Sequence, residues 1–242
     1  MTTSASDFAD IAQVLHAQED VDQTLHGIVE LACATVNSDM CGVMVVHGRN
    51  KVVTAAVTDE LVRRVDNLQL ECGEGPCLEA MDDHTSFIIA DTATETRWPT
   101  WCRAVLELGI RSVVSVRLFT QSGTIGSINI YSSQPHHFDT DDAAVAAVFA
   151  GHASVALAAA QTESGLRAAM DGRHVIGLAQ GMLMERFDLS TDQAFSVLRR
   201  YSQDRNMKLR SVAAHVVESR KLPDLAADSA GGLRDLLSMD LL

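Results

Sequence analysis

Seven basic side chains in the C-terminal third of the sequence have the chemistry to bind a polyanion: Arg173, Arg186, Arg199, Arg200, Arg205, Lys208 and Arg210. Residues 161–223 contain ten Lys and Arg against seven Asp and Glu, a net charge of +3. Residues 1–160 have a net charge of −13. Because the acidic part repels nucleic acid, the basic segment is where phosphates are expected to bind. A solvated face with ion pairs to nearby carboxylates is the alternative interpretation.

The same segment has the hydrophobic periodicity of three short helices, which must position these cations. Apolar residues recur every three or four positions in each, as in helices with one buried face. Ser190 and Gln193 form an S-x-x-Q pattern that predicts a capping box at the start of the second helix. The positions expected to face inward are Val175, Ile176, Leu178, Ala179, Met182 and Leu183, then Ala194, Phe195, Val197, Leu198 and Tyr201, then Leu209, Val212, Ala213, Val216 and Val217.

These residues resemble the ANTAR domain over about fifty positions without a gap. The resemblance is carried by Arg173, Val175 with Ile176, Ala179-Gln180-Gly181, Leu183-Met184, Ala194-Phe195 and Leu198-Arg199. It implies binding to nascent RNA that bears two small hairpin loops, which prevents transcription termination. The motif residues Ala179, Gly181, Ala194, Phe195 and Leu198 are expected to pack between the helices. Stacking of an unpaired loop base on Phe195 or Tyr201 is the alternative role for these aromatic rings.

The segment departs from the ANTAR pattern at two positions. Gln180 stands where the family commonly has Lys, which removes a charge that would meet phosphate, although Gln180 stays among the candidate RNA-binding residues. Gly172 stands where a Ser is common, and a glycine costs a helix interior roughly 0.5–1 kcal/mol relative to Ala. We expect weaker phosphate binding from the first departure and a hinge from the second.

The N-terminal two thirds of the chain predict an α+β domain. β-Branched runs at 41–48 and 51–57 and at 111–119 and 124–131 form two predicted hairpins, with helices before and after them and an irregular insert between them. This order gives an antiparallel sheet with flanking helices, which are expected on one face of the sheet. The segments that resemble a GAF domain, a small-molecule sensor, are 71–80, 89–99, 109–118 and 125–132. The resemblance implies an unidentified small-molecule ligand, with Cys77, Arg97 and Trp98 as candidate pocket residues.

Five cysteines without a CxxC pair indicate reduced thiols rather than a disulfide framework. Cys72, Cys77 and Cys102 could form a metal or redox site with His84, but their spacing matches no common zinc pattern. Some GAF domains reduce free methionine sulfoxide with cysteines, which makes such an enzyme one alternative function. The preferred hypothesis is that the chain is not an enzyme and needs no metal or cofactor.

No proline interrupts the nearly fifty residues between His137 and Phe187. Apolar and small residues recur there in a weak heptad pattern, which predicts one long helix that forms a coiled coil and a homodimer. The predicted organisation is an N-terminal helical segment at 1–19, a GAF sensor at 20–160, the coiled-coil helix with the ANTAR domain at 161–223, and an acidic tail at 224–242. The tail is either a frayed terminus or a helix that covers and inhibits the basic bundle.

The first residues, MTTSASDFADIAQ, lack the basic and apolar regions of a secretory signal, and no membrane span is expected. The sequence therefore predicts a cytoplasmic, homodimeric, signal-responsive regulator that binds RNA with paired hairpin loops. DNA binding by the basic bundle is the first alternative. The others are the cysteine-dependent reductase and a protein-interaction module that has lost RNA binding, for which Gln180 is the only indication.

Overall fold

The computed structural model describes residues 5–38, 40–48, 51–83 and 86–220. The chain divides into two compact units, Met1–Ser164 and Gly165–Leu242. His84 and the acidic tail at 224–242, together with their proposed roles, lie outside the described residues. The helices are α1 Ala5–His16, α2 Val21–Thr35, α3 Glu60–Cys72, α4 Pro76–Asp83, α5 Pro99–Glu107, α6 Thr140–Phe187, α7 Thr191–Asp204 and α8 Leu209–Ser219.

Unit 1 is built on a five-stranded antiparallel sheet with the strand order β2-β1-β5-β4-β3. The strands are β1 Met40–His47, β2 Lys51–Val57, β3 Ser86–Ile89, β4 Ser112–Thr120 and β5 Gly123–Ser132. Both predicted hairpins are present, because β1 pairs with β2 and β4 pairs with β5. The predicted α+β sensor fold is therefore confirmed.

Helices cover both faces of this sheet, so the expectation that they lie on one face was wrong. One core joins β1, β4 and β5 to α2 and to the first part of α6, with Ile28, Phe149 and Leu157 at its centre. A second core lies around α3 and α5 and contains Val65 and Trp101. Because β4 and β5 are buried on both faces, their successive side chains point alternately into the two layers. This second layer encloses the polar residues described below.

The stretch between the two hairpins is more ordered than its sequence predicts. It was expected to be irregular, yet it contains α4 and α5. Both helices begin at a proline, Pro76 and Pro99, which suits the first helical turn because the missing N–H has no partner there. Gly73 ends α3 in the left-handed conformation, with φ 68°. Helices of eight and nine residues are too short to give a clear 3.6-residue period.

Unit 2 contains the C-terminal part of α6 followed by α7 and α8. The predicted continuous helix is confirmed and ends before Asp188, which has φ 52°. The predicted capping box is also confirmed, since the Ser190 hydroxyl accepts from the Gln193 amide and the Gln193 side chain accepts from the Ser190 amide. The shared core consists of Ala179, Leu183, Ala194, Val197, Leu198, Tyr201, Val212, Ala213 and Val216.

One segment of α6 is long and apolar enough to cross a membrane. It is 18 residues long, has a mean hydropathy of 1.8 and is 39% buried. The expectation of no membrane span did not take this segment into account. Its apolar residues include Phe149, Ala153 and Leu157, which pack in the core of unit 1. Because a core helix of a soluble protein has the same composition, the segment is weak evidence for a membrane span.

Candidate functional site

Four of the seven basic side chains in unit 2 carry charges that the rest of the described chain leaves uncompensated. Arg173, Arg199, Lys208 and Arg210 are exposed, and no carboxylate pairs with them within the described residues. Arg210 packs beside α6 at Gly172, the residue before Arg173, because Cδ of Arg210 lies 3.7 Å from the position that a Cβ on Gly172 would occupy. Uncompensated exposed cations attract phosphate without first breaking an internal ion pair.

The other three cations have partners inside unit 2. Nη1 of Arg186 donates to the carbonyl of Arg220 over 2.6 Å, which ties the end of α6 to the end of α8. Nε of Arg200 lies 4.0 Å from Oδ2 of Asp204, one turn along α7. The guanidinium of Arg205 lies 5.8 Å from the centre of the Tyr201 ring. The structure therefore divides the predicted set into four free cations and three that also support the helices.

The two departures from the ANTAR pattern have structural roles. Nε2 of Gln180 donates to the carbonyl of Thr191 over 3.2 Å and links α6 to the first turn of α7. Gly172 is buried beside Arg210, and α6 runs through it without a break. The predicted hinge at Gly172 is therefore absent from this conformation. The side chain of Gln180 is therefore used in the contact between the two helices.

The expected packing residues separate into two groups. Ala179, Ala194 and Leu198 are fully buried in the core of unit 2. Gly181 is exposed and Phe195 is 36% exposed, so the expectation that they pack in the core was wrong. The buried positions of α7 run through 194, 197, 198 and 201, which turns residue 195 toward solvent on the side of Arg199.

Two glycines on the exposed side of α6 leave its backbone bare. Gly177 and Gly181 lie one turn apart, and a Cβ added at either would meet no atom within 4 Å. Packing inside the described chain therefore does not require a glycine at these positions. Each glycine nevertheless lowers helix stability by roughly 0.5–1 kcal/mol relative to Ala. The exposed Leu178 lies between them in sequence and is 46% exposed.

The sensor residues Arg97 and Trp98 form a structural bridge rather than a pocket wall. Trp98 is 3% exposed, and its Nε1 donates to Oε2 of Glu79 over 2.7 Å. The guanidinium of Arg97 lies 4.5 Å from the centre of the Trp98 indole and donates to Oε2 of Glu95 over 2.6 Å. Hydrogen bonds from Arg97 lower the pKa of Glu95 to about 2. Glu95 therefore already occupies the anion position that Arg97 was expected to offer.

Cys77 lies inside unit 1 beside a buried polar network centred on Asp66. Oδ1 of Asp66 accepts from the Tyr131 hydroxyl over 2.5 Å and from Nδ2 of Asn129 over 3.1 Å. Its Oδ2 lies 3.4 Å from the Thr54 hydroxyl, which donates to it. The backbone N–H of Cys77 donates to Oε1 of Gln69 over 2.9 Å. Among the described residues, Asp66 is the only acidic or basic side chain that is buried. We refer to Thr54, Asp66, Gln69, Asn129 and Tyr131 as the Asp66 network.

This network was not predicted from the sequence, although β5 contains a signal for it. Ser127, Asn129 and Tyr131 alternate with Ile128 and Ile130, and all five are buried. A strand that is buried on both faces normally has apolar residues on both. Polar side chains at every second position of such a strand indicate that a polar partner lies opposite them. Asp66 and Gln69, three residues apart on α3, supply that partner.

The cysteines lack the environment of reactive thiols. Burial raises the pKa of Cys41 and Cys77 well above the usual range and that of Cys102 to about 12. The pKa of Cys72 is also raised, by burial and by nearby Glu74 and Glu71. Because the thiolate is the nucleophile, these four thiols are poorly suited to redox catalysis. The described residues contain no cluster of His, Cys, Asp and Glu that could hold a metal ion.

A groove of about 490 Å³ opens on the surface of unit 1 near α4. It is lined by Val46, Val52, Gly73, Leu78, Met81, Asp82 and Thr124. Apolar side chains with a single carboxylate suit a small organic molecule better than a phosphate. This groove is one candidate place for the small-molecule ligand expected of the sensor.

An α+β sensor domain followed by a small basic helical unit defines a class of regulatory proteins in which one part receives a signal and the other contacts a nucleic acid. Family models match a GAF domain over residues 18–158 and an ANTAR domain over residues 164–217. The chain belongs to the GAF domain family and carries an ANTAR domain after its GAF domain. ANTAR domains are RNA-binding antitermination domains, and GAF domains are sensors.

Solved structures share the fold of the GAF domain at low sequence identity. A free methionine-R-sulfoxide reductase from Neisseria meningitidis has a TM-score of 0.52 and 19% identity, over 64% of this chain and 89% of the reductase. A bacteriophytochrome from R. palustris has a TM-score of 0.51 and 10% identity, over 72% of this chain and 41% of its own. A GAF domain of a Coxiella burnetii phosphoenolpyruvate-protein phosphotransferase has a TM-score of 0.50 and 20% identity, over 65% and 94%. A comparison with curated protein sequences gives no significant match.

Proposed function

We propose that this protein is a signal-responsive antiterminator that binds nascent RNA bearing two hairpin loops through its ANTAR domain. The observation that carries the proposal is the set of four exposed cations without an internal partner, Arg173, Arg199, Lys208 and Arg210. These cations hold the phosphates of the RNA, and this contact gives affinity without sequence preference. The remaining candidates, Arg186, Arg200, Arg205 and Gln180, make contacts within the same unit that support its helices.

Recognition of the loop bases is assigned to the exposed residues beside these cations. Phe195 offers a ring face on which an unpaired base stacks, and Arg199 lies one turn further along α7. Gly177 and Gly181 allow the RNA backbone to approach α6 closely, since no side chain covers the helix there. Buried Tyr201 is 7% exposed and is not part of this surface.

A homodimer presents two such surfaces, one for each hairpin. Large apolar side chains on α6 remain exposed: Val148 and Val155 in unit 1, and Leu166 and Met170 in unit 2. They recur at intervals of seven, eleven and four residues, which keeps them on one side of a helix. A second copy of α6 buries them in a coiled coil. Sedimentation equilibrium of the wild-type protein and of Leu166→Glu tests this step, with a dimer expected for the first and a monomer for the second.

The proposed protein is cytoplasmic and not an enzyme. Access to nascent RNA requires the compartment in which transcription occurs, and the raised pKa values of Cys41, Cys72, Cys77 and Cys102 disfavour thiol chemistry. Transcription in vitro through a terminator that overlaps a two-hairpin RNA tests the function as a whole. Added protein is expected to raise read-through on the native template and to leave it unchanged when the loop bases are replaced. Equal read-through on both templates contradicts the proposal.

A further inference from the structure

The Asp66 network is a buried polar cluster that the proposed RNA binding does not use. Its members come from three elements: Thr54 from β2, Asp66 and Gln69 from α3, and Asn129 and Tyr131 from β5. All but Thr54 are fully buried. The backbone closes tightly over the carboxylate, because a Cβ on Gly42 would lie 2.7 Å from Oδ2 of Asp66. A charged group with this little access to water must be compensated by its immediate neighbours.

The hydrogen bonds to the Asp66 carboxylate come from neutral donors, the side chains of Thr54, Asn129 and Tyr131. The titratable groups that face it are the thiols of Cys41 on β1 and Cys77 on α4 and the phenol of Tyr131 on β5. Burial raises the pKa of all three well above the usual range, so each is neutral near pH 7. On its own helix, the Arg63 guanidinium instead donates to the Thr54 carbonyl over 3.2 Å and to Glu60 over 3.3 Å.

We propose that the Asp66 network is a proton-responsive switch inside the GAF domain, in which Asp66 takes up a proton and exchanges hydrogen bonds with Tyr131 and Asn129. The carboxylate accepts from both side chains, but the carboxylic acid carries a hydrogen of its own and becomes a donor. The Tyr131 hydroxyl then accepts or turns away, and the acidic hydrogen needs an acceptor. Oδ1 of Asn129 already accepts from the Ser115 hydroxyl over 3.0 Å, so the rearrangement extends to β4.

Two further observations support this interpretation. Burial raises the pKa of Asp66 to about 7, against the lowering effect of its three hydrogen bonds and of Arg63, so the proton exchanges in the range of cellular pH. The buried hydroxyl of Ser127 on β5 has no hydrogen-bond partner. A buried hydroxyl without a partner is unfavourable, and a spare group on the same strand lets the network pair differently in its second state.

The proposed switch includes two residues of β5, the strand that precedes α6 in the chain. Tyr131 is the penultimate residue of β5, and its carbonyl accepts from the Ser38 hydroxyl over 2.7 Å. Seven residues separate the end of β5 from the start of α6. A change in the hydrogen bonds of the Tyr131 hydroxyl therefore affects the C-terminal end of β5. The proposal concerns protonation within the GAF domain and stands independently of RNA binding.

Carbon-13 NMR of the full-length protein tests the proposal, with tyrosine labelled at Cζ. The chain has two tyrosines, so the spectrum contains two signals, and Tyr201→Phe leaves that of Tyr131. We expect the Tyr131 signal to shift in a single titration step with a midpoint at about pH 7. Asp66→Asn, which mimics the neutral acid, is expected to remove the step. A Tyr131 signal that is constant from pH 5.5 to pH 8.5 in the Tyr201→Phe protein overturns the proposal.

Two additional variants keep the test decisive if Asp66→Asn does not fold. Thr54→Val removes one donor to the carboxylate, which disfavours the charged form and is expected to move the midpoint to higher pH. Glu71→Gln is the matched control, because Glu71 is an exposed carboxylate on the same helix. It is expected to leave the midpoint unchanged. A midpoint that follows Glu71→Gln and ignores Thr54→Val contradicts the assignment to Asp66.

Discussion

The hydroxyl of Tyr131 donates to the carboxylate of Asp66 over 2.5 Å in the interior of the GAF domain, sixty-five residues apart in sequence. This contact joins α3 to β5 across a layer that otherwise contains apolar packing. The two side chains define the part of the sensor that responds to its chemical environment. The cations of the ANTAR domain define the part that we propose acts on RNA. The two parts lead to predictions that can be tested separately.

The stability of the protein is predicted to depend on the ionisation of Asp66. The folded state binds a proton at Asp66 with a pKa of about 7, against 3.8 for an ordinary aspartate. The folded state therefore holds more protons between these values, and the Asp66 contribution to stability falls as the pH rises from about 4 to about 7. The shift from 3.8 to about 7 corresponds to roughly 4 kcal/mol at about 1.4 kcal/mol per pH unit, so Asp66→Asn is expected to be more stable than the wild type at pH 8 by up to about that amount.

Urea denaturation of both proteins at intervals from pH 5 to pH 8 measures this difference. The gap between the two free energies of unfolding should widen with rising pH and level off above pH 7, because the folded-state carboxyl is then fully charged. A gap that is independent of pH would show that Asp66 stays charged throughout this range. Glu71→Gln serves as the control for a carboxylate on the surface of α3.

Arg199 and Arg173 are predicted to contribute to RNA affinity and not to folding. Each is exposed and without a carboxylate partner in the described chain. Replacing one of them with Gln is expected to weaken RNA binding about five- to tenfold and to reduce the salt slope by about 1. The melting temperature should stay unchanged. Arg64→Gln on α3 makes the same charge change on the sensor domain, and equal weakening by this control would assign the effect to net charge alone.

Gly181→Ala is predicted to separate stability from function. An added Cβ meets no atom within 4 Å, so the variant is expected to gain roughly 0.5–1 kcal/mol of stability from better helix propensity. RNA affinity is expected to fall, because the methyl group covers the bare backbone that the RNA approaches. Gly165→Ala is the matched control on α6, since it has the same open surroundings. Unchanged affinity in Gly181→Ala would remove this glycine from the binding surface.

Phe195 and Tyr201 are predicted to behave in opposite ways. Phe195→Ala removes a half-exposed ring and is expected to cost about 1–3 kcal/mol of RNA binding, as in the loss of one stacked base, with little effect on folding. Tyr201→Phe removes a buried hydroxyl that has no partner, and it is expected to keep RNA affinity and to raise stability slightly. Isothermal calorimetry and thermal melts of both variants measure the two effects. Loss of affinity in Tyr201→Phe alone would contradict the assignment.

The sequence predicts the elements of this protein better than it predicts its sensor site. Periodicity and caps identified α6, α7 and α8, because Ser190, Gln193 and Asp188 act on their own neighbours in the chain. The network around Asp66 joins residues from three distant segments. No local pattern on α3 indicates that Asp66 faces Asn129. Its one sequence signal is the alternation of polar residues in β5.

Exposure within the ANTAR domain was the second feature that sequence could not provide. Phe195 follows the buried Ala194 and was assigned to the same apolar face. Three helices in so small a bundle bury only a narrow stripe of each, and Phe195 falls just outside the stripe of α7. Charge counts located the basic segment, but only the structure separates Arg199, which is free, from Arg186, which binds the carbonyl of Arg220.

A salt titration is the most direct test of the proposal that the ANTAR domain binds RNA with two hairpin loops. The full-length protein is titrated with an RNA of two hairpin loops, with the same RNA after replacement of the loop bases, and with a DNA duplex of equal length. We predict tight binding to the unmodified two-hairpin RNA alone. Its affinity should fall steeply with salt, and log K plotted against log salt concentration should have a slope of about −3 to −4 for four phosphate contacts. Equally weak binding to all three ligands would contradict it, because the exposed cations would then form only a non-specific basic surface.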